Sequence, residues 1–120
     1  TRYWRDWSSD VCSSDLFSLV SEIYIIETQK VKVCFIKSDS DVLIELVEPA
    51  VDNLSLINLY NKGVRLYHSA FLVQDIHDAI EYLEAKGFFR MKIFESEAFG
   101  RRLCCFMVSR DKNLIELIEI

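Results

Sequence analysis

Two six-residue stretches of this 120-residue chain are nearly identical. Leu43-Ile44-Glu45-Leu46-Val47-Glu48 returns as Leu114-Ile115-Glu116-Leu117-Ile118-Glu119, an offset of 71. At the same offset, without a gap, Cys34-Phe35 maps on Cys105-Phe106, Ser38 on Ser109 and Phe17 on Phe88. Residues 17–48 and 88–119 therefore read as two copies of one unit, and a repeat constrains the architecture before any single element does. The second copy begins earlier, with Leu66 to Gly87. Subtracting the offset puts the matching stretch of the first copy at about −5 to 16, and nothing in residues 1–16 resembles it.

Thr1 to Leu16 has no apolar period of 2 or 3.6 and is dense in Ser, Asp and Trp. Asp6 through Leu16 agrees, eleven residues in a row, with a sequencing-library adapter read as codons. The expectation is a non-native segment at 1–16, set aside like a fusion scar, on a gene fragment that lost its own N-terminus.

The remaining residues, 17–120, are enough for one domain with a real core. At 51% hydrophobic and 28% charged the chain is globular rather than disordered. Net charge is −5, or −4 without residues 1–16, which argues against a nucleic-acid partner needing a basic face. No apolar run approaches the roughly 18 residues of a membrane span. Cys34, Cys104 and Cys105 sit in apolar strand-like runs and Cys12 lies in the suspect segment. With no CxxC spacing, they read as reduced core cysteines of a cytoplasmic protein.

Leu19–Ile26, Val31–Lys37 and Val42–Glu48 read as strands, the last stopped by Pro49. Asp52 or Asn53 could cap a short helix near Leu54–Tyr60, and Lys62-Gly63 breaks the chain. Arg65–Val73 reads as a strand. Asp75 is an N-cap residue, and Ile76, Ala79, Ile80 and Leu83 make one apolar helix face that Gly87 ends. Strands follow near Phe89–Glu95, Arg101–Val108 and Asn113–Glu119. The fold class is α+β: a complete βαβββ module over 65–120 and a partial one over 17–48 that lacks its first strand and helix.

Side chains on a strand alternate faces. His68 then lies with Leu66, Ala70 and Leu72, Glu45 with Leu43 and Val47, and Glu116 with Leu114 and Ile118. An ionisable group among apolar neighbours needs a partner. A divalent ion would supply one, since imidazole nitrogen and carboxylate oxygen suit first-row metals. A solvated concave face or a hydrogen-bonded histidine would serve for any one residue alone. Glu48 and Glu119, at strand ends, call for no such explanation, and His77 falls on the exposed helix face.

The run Leu66-Tyr67-His68-Ser69-Ala70-Phe71-Leu72-Val73-Gln74-Asp75-Ile76, with Ala79-Ile80, Leu83, Gly87-Phe88, Phe99-Gly100-Arg101-Arg102 and Leu114-Ile115-Glu116-Leu117, resembles the vicinal oxygen chelate superfamily. Ile44-Glu45-Leu46-Val47-Glu48-Pro49 fits the middle of the same pattern. The resemblance covers residues 17–120 and runs nearest to methylmalonyl-CoA epimerase and glyoxalase-like proteins. It implies two βαβββ modules cupped around one divalent metal (zinc, cobalt, nickel or manganese). It also implies metal ligation by His68 and Glu116 from the second module and Glu45 from the first. The first-module His has no counterpart, since the offset would put it at −3.

The implied activity is that of a metal-dependent isomerase or lyase. It would remove a proton α to a carbonyl of a small acyl-thioester or hemithioacetal substrate, with Glu116 or Glu45 as base and the metal stabilising the enolate. Glu27 is a weaker base candidate, the loop Ser96–Gly100 would border the substrate, and Arg101 or Arg102 would meet an anionic group. An alternative within the same fold is a metal-free protein that sequesters antibiotics. A ferrous dioxygenase, with two His and one Glu, ranks below both. The edge strands leave pairing within one chain and a homodimer equally open.

Overall fold

The computed structural model describes residues 17–38 and 42–120. The described residues form two compact units that divide after Gly63. The expected adapter segment and Cys12 lie outside the described residues.

In the first unit β1 (Phe17–Leu19) and β2 (Tyr24–Ile26) lie end to end along one side of β3 (Val31–Ser38), and β4 (Leu43–Pro49) pairs with its other side. All these pairings are antiparallel. The single strand expected over Leu19–Ile26 is thus broken. Leu19 stands opposite Ile36 and Tyr24 opposite Val33, so more chain is spent on this side than on β3. Ser21 explains the break: its hydroxyl accepts the Phe35 N–H at 2.8 Å, in place of a backbone carbonyl. Helix α1 (Leu54–Asn61) follows. Asn53, not Asp52, is its cap. The Asn53 side chain accepts from Leu56 N and donates to the carbonyls of Gln29 and Lys30, while Asp52 pairs with Lys30 at 3.0 Å. Cys34, Ile36 and Leu46 form the core of this unit, with Phe17 and Ile44 against them.

The second unit is a βαβββ module: β5 (Ser69–Val73), α2 (Ile76–Ala85), β6 (Phe89–Ser96), β7 (Arg102–Val108) and β8 (Leu114–Glu119), in the order β5-β8-β7-β6. β5 runs parallel to β8, a pairing that requires a crossover, and α2 supplies it. Asp75 caps α2 by accepting the Asp78 N–H at 2.9 Å. Gly87 closes it at φ +92°, a conformation only glycine adopts without strain. The predicted stripe of Ile76, Ala79, Ile80 and Leu83 packs on Cys105, Met107 and Leu117. Burying Ile76 and Ile80 stabilises the unit by roughly 1.5–3 kcal/mol each. Among the described residues no helix is long and apolar enough to cross a membrane.

The strand expected from Arg65 begins only at Ser69. Register explains the shortfall. Ser69 stands opposite Ile115, so His68 reaches only Leu114, the first residue of β8, and residues before it would run past that strand into the turn closed by Ser109 and Asn113. The repeat is also subtler than its gapless offset. Phe35 faces Glu45 and Phe106 faces Glu116, an equivalence at 71. Tyr24 faces Val33 and Phe94 faces Cys104, so around β2 the offset is 70. The break after Leu19 is one residue longer than the bulge between Arg90 and Ile93, and the turn after β6 is one residue longer than that after β2. The two differences cancel in the sequence.

Candidate metal centre

Alternation on β8 sends Ile115 and Leu117 toward α2 and leaves Glu116 on the opposite face with Leu114 and Ile118. Glu116 is 3% exposed. His68, one residue ahead of β5, brings Nε2 to 3.2 Å from Glu116 Oε2, and both side chains are buried. Parallel pairing makes this contact. Ala70 stands opposite Glu116, which places the residue two positions before it on the same face.

Aromatic rings hold the histidine. Phe106, directly across from Glu116 on β7, meets the imidazole edge-on at 5.3 Å, and Tyr67 meets it at 4.4 Å. Phe94 stacks on Phe106 at 5.8 Å with a 17° interplanar angle. Such a wall excludes water and strengthens electrostatic interactions inside it. Cys104 lies on the same face of β7 and is fully buried. Its thiol is pushed up to about 12, first by burial and then by the negative charge of Glu116. Cys105 points to the α2 side, where burial raises its thiol and Sγ donates to the Met91 carbonyl at 3.4 Å. Cys34, Cys104 and Cys105 are all buried, as their strand contexts suggested.

The pair fits a divalent ion. Two ligand atoms about 2.0–2.1 Å from such an ion stand about 2.9 Å apart on an octahedral edge and about 3.4 Å apart on a tetrahedral one. The 3.2 Å separation of His68 Nε2 and Glu116 Oε2 falls between. Glu45 is half-buried on β4, on the face away from Leu46, and stands opposite Phe35 as Glu116 stands opposite Phe106.

The remaining candidates lie elsewhere. Glu27 opens a short 3-10 turn and is exposed. Arg101 is exposed with φ +65° and pairs with Glu95 at 3.4 Å, and Arg102 is exposed at the start of β7. The Ser96–Gly100 loop holds a 3-10 turn at Glu97–Phe99, and its Ser96 is buried. His77 is exposed on α2. Sequence reasoning gave Tyr67 and Phe94 no role at the site, named Ser96 only as the start of a loop, and read Cys104 only as a core cysteine. The signal for the aromatic wall was present, since Phe35 and Phe106 are repeat mates, as Glu45 and Glu116 are. Glu119 was also passed over. Its Oε2 accepts the Ile76 N–H at 2.9 Å and so ties β8 to the start of α2.

Comparison with known proteins agrees with this architecture. The sequence pattern of the Glyoxalase/Bleomycin resistance protein/Dioxygenase superfamily matches residues 7–106. A hypothetical protein of Bacillus halodurans C-125 is similar in structure, with a TM-score of 0.81 at 20% identity over 97% of this chain and 85% of that one. The methylmalonyl-CoA epimerase of Mycobacterium tuberculosis is similar with a TM-score of 0.70 at 21% identity, over 95% of this chain and 76% of that one. No curated protein sequence matches the chain significantly. By the span of the sequence match, the chain belongs to the Glyoxalase/Bleomycin resistance protein/Dioxygenase superfamily.

Proposed function

We propose that the chain has the chemistry of a metal-dependent isomerase or lyase that removes a proton α to a carbonyl of a small acyl thioester or hemithioacetal. The observation that carries the reading is the buried His68–Glu116 pair, a nitrogen and an oxygen donor held at ligand spacing behind an aromatic wall. Neither side chain gains much from such burial unless a shared partner repays its desolvation. In this reading His68, Glu116 and Glu45 hold a divalent ion. Glu45 enters on its repeat equivalence to Glu116. Once bound, the ion would act as a Lewis acid toward the substrate carbonyl. A carboxylate of Glu45 or Glu116 takes the proton, and the apolar surround of Phe106 and Phe94 keeps water from competing for it. The likeness to a methylmalonyl-CoA epimerase favours an acyl-CoA substrate over a hemithioacetal.

The test is direct. The purified chain is loaded in turn with zinc, cobalt, nickel and manganese, and its metal content is measured. It is then incubated with methylmalonyl-CoA in deuterated water, with the hemithioacetal of methylglyoxal and glutathione in parallel. Stoichiometric metal with deuterium entering the α position supports the reading. A folded chain that binds no metal and exchanges no faster than buffer overturns it in favour of a metal-free binding protein.

A further inference from the structure

The centre contains buried polar side chains that the proposed function does not use. Cys104 is fully buried on β7, on the face that carries Phe106, and Glu116 lies on the same face of the adjoining strand. The register puts Cys104 opposite Ile118, so Glu116 is its diagonal neighbour on the same face. Behind Cys104 stands Ser96, another buried polar residue, at the end of β6 where it faces Arg102. Three polar side chains thus lie together in a region otherwise lined by Phe94, Phe106 and Ile118.

We propose that Cys104 is a positioning residue whose thiol proton is donated to the Glu116 carboxylate, holding that carboxylate in the orientation that presents Oε2 to His68. This rests on the reading of Glu116 as a metal ligand or base. The thiol has one proton and two candidate acceptors. One is the carbonyl of Arg102 on its own strand, at 3.6 Å from Sγ, a long contact between neutral groups. The other is a buried carboxylate, and bonds to an ionised acceptor are about twice as strong. Ser96, the other buried polar side chain here, is the diagonal neighbour of Cys104 across β6 and β7. The device belongs to the second unit alone. At the repeat-equivalent place beside Glu45 stands Val33, which has no donor to offer.

Two measurements test it. The first needs no metal. In the infrared spectrum of the full chain, one S–H stretching band lies below those of the other thiols. It disappears in Cys104→Ser and returns to the ordinary position in Glu116→Leu. A Cys104 band that does not move in Glu116→Leu overturns the proposal, whatever the chain does with metals. The second is cobalt affinity. Cys104→Ala, which removes the donor, weakens cobalt binding about 10- to 100-fold, as loss of a group supporting a ligand typically does. Cys104→Ser, which keeps a donor, restores it to within a few-fold. Equal affinity in wild type, Ala and Ser variants overturns the positioning role, and equal losses in Ala and Ser reduce it to packing. If wild type binds no cobalt while the infrared shift is present, the metal reading falls and the thiol–carboxylate bond stands.

Discussion

Replacing Glu116 by Gln keeps the shape of the side chain and removes its charge, so it separates a ligand from a structural ion pair. At 3.2 Å the bare attraction between Glu116 and a protonated His68 would be about 5 kcal/mol at an effective dielectric near 20. Desolvation of two buried groups consumes most of that. Glutamine keeps a side-chain oxygen that can accept from the imidazole, so the hydrogen bond survives the loss of charge. The metal-free variant should therefore melt close to wild type, within about 2 kcal/mol. Metal changes the comparison. A free metal concentration one hundred times the dissociation constant stabilises the wild type by about 2.7 kcal/mol. For a chain of this size that is a rise in Tm of roughly 10 °C. If Gln weakens binding a hundredfold, the same concentration contributes about 0.4 kcal/mol, a shift below about 2 °C. Scanning calorimetry of both proteins, with and without cobalt or zinc, reads the difference. A Glu116→Gln chain that keeps the full metal-induced shift would show that Glu116 is not a ligand.

Three further outcomes follow from packing and titration. Ile80→Ala, which empties a site 2% exposed in the α2 contact, should cost about 2–5 kcal/mol in denaturant unfolding, and a loss under 1 kcal/mol would contradict that core. Glu119→Leu and Glu48→Leu are repeat mates with opposite expected signs. The first strands the Ile76 N–H and should destabilise by about 1–3 kcal/mol. The second removes a buried oxygen with no donor among the described residues and should be neutral or stabilising, as chemical denaturation of both would show. The Cys104 thiol stands at about 12 against an ordinary value near 9, so the folded state holds its proton where the unfolded state releases it. That stability is present below about pH 9 and is lost as pH climbs toward 12. Cys104→Ala should flatten the decline, and an unchanged slope would refute the assignment.

How much was legible beforehand depended on whether local pattern or pairing decided each feature. The α2 face was legible because Ile76, Ala79, Ile80 and Leu83 repeat with the helix, and Asp75 and Gly87 mark its ends. Glu116 was legible because β8 alternates cleanly. The start of β5 was not, since Arg65–Tyr67 have strand-like composition and only the end of β8 denies them a partner. The break at Val20–Ile23 was hidden too. Nothing in a run of β-branched and aromatic residues announces that a serine hydroxyl will replace a carbonyl at Phe35. Glu119 looked like an ordinary strand-end carboxylate because its acceptor role depends on a helix forty-three positions earlier in the chain.

The repeat makes the reason plain. One strand sequence occurs twice, with glutamates in the same register against a phenylalanine, yet the neighbours differ. Glu119 receives the first N–H of α2, whereas Glu48 has a buried oxygen that receives none among the described residues. Glu116 has Cys104 beside it, whereas Val33 holds that place near Glu45. Copying the strand conserved which face each carboxylate occupies, because period and pairing are properties of the strand itself. It did not conserve what each carboxylate can do, because hydrogen-bond donors come from other elements. A chemical role for either glutamate is therefore better argued from β3 and β7, whose residues differ between the copies, than from the two strands that look alike.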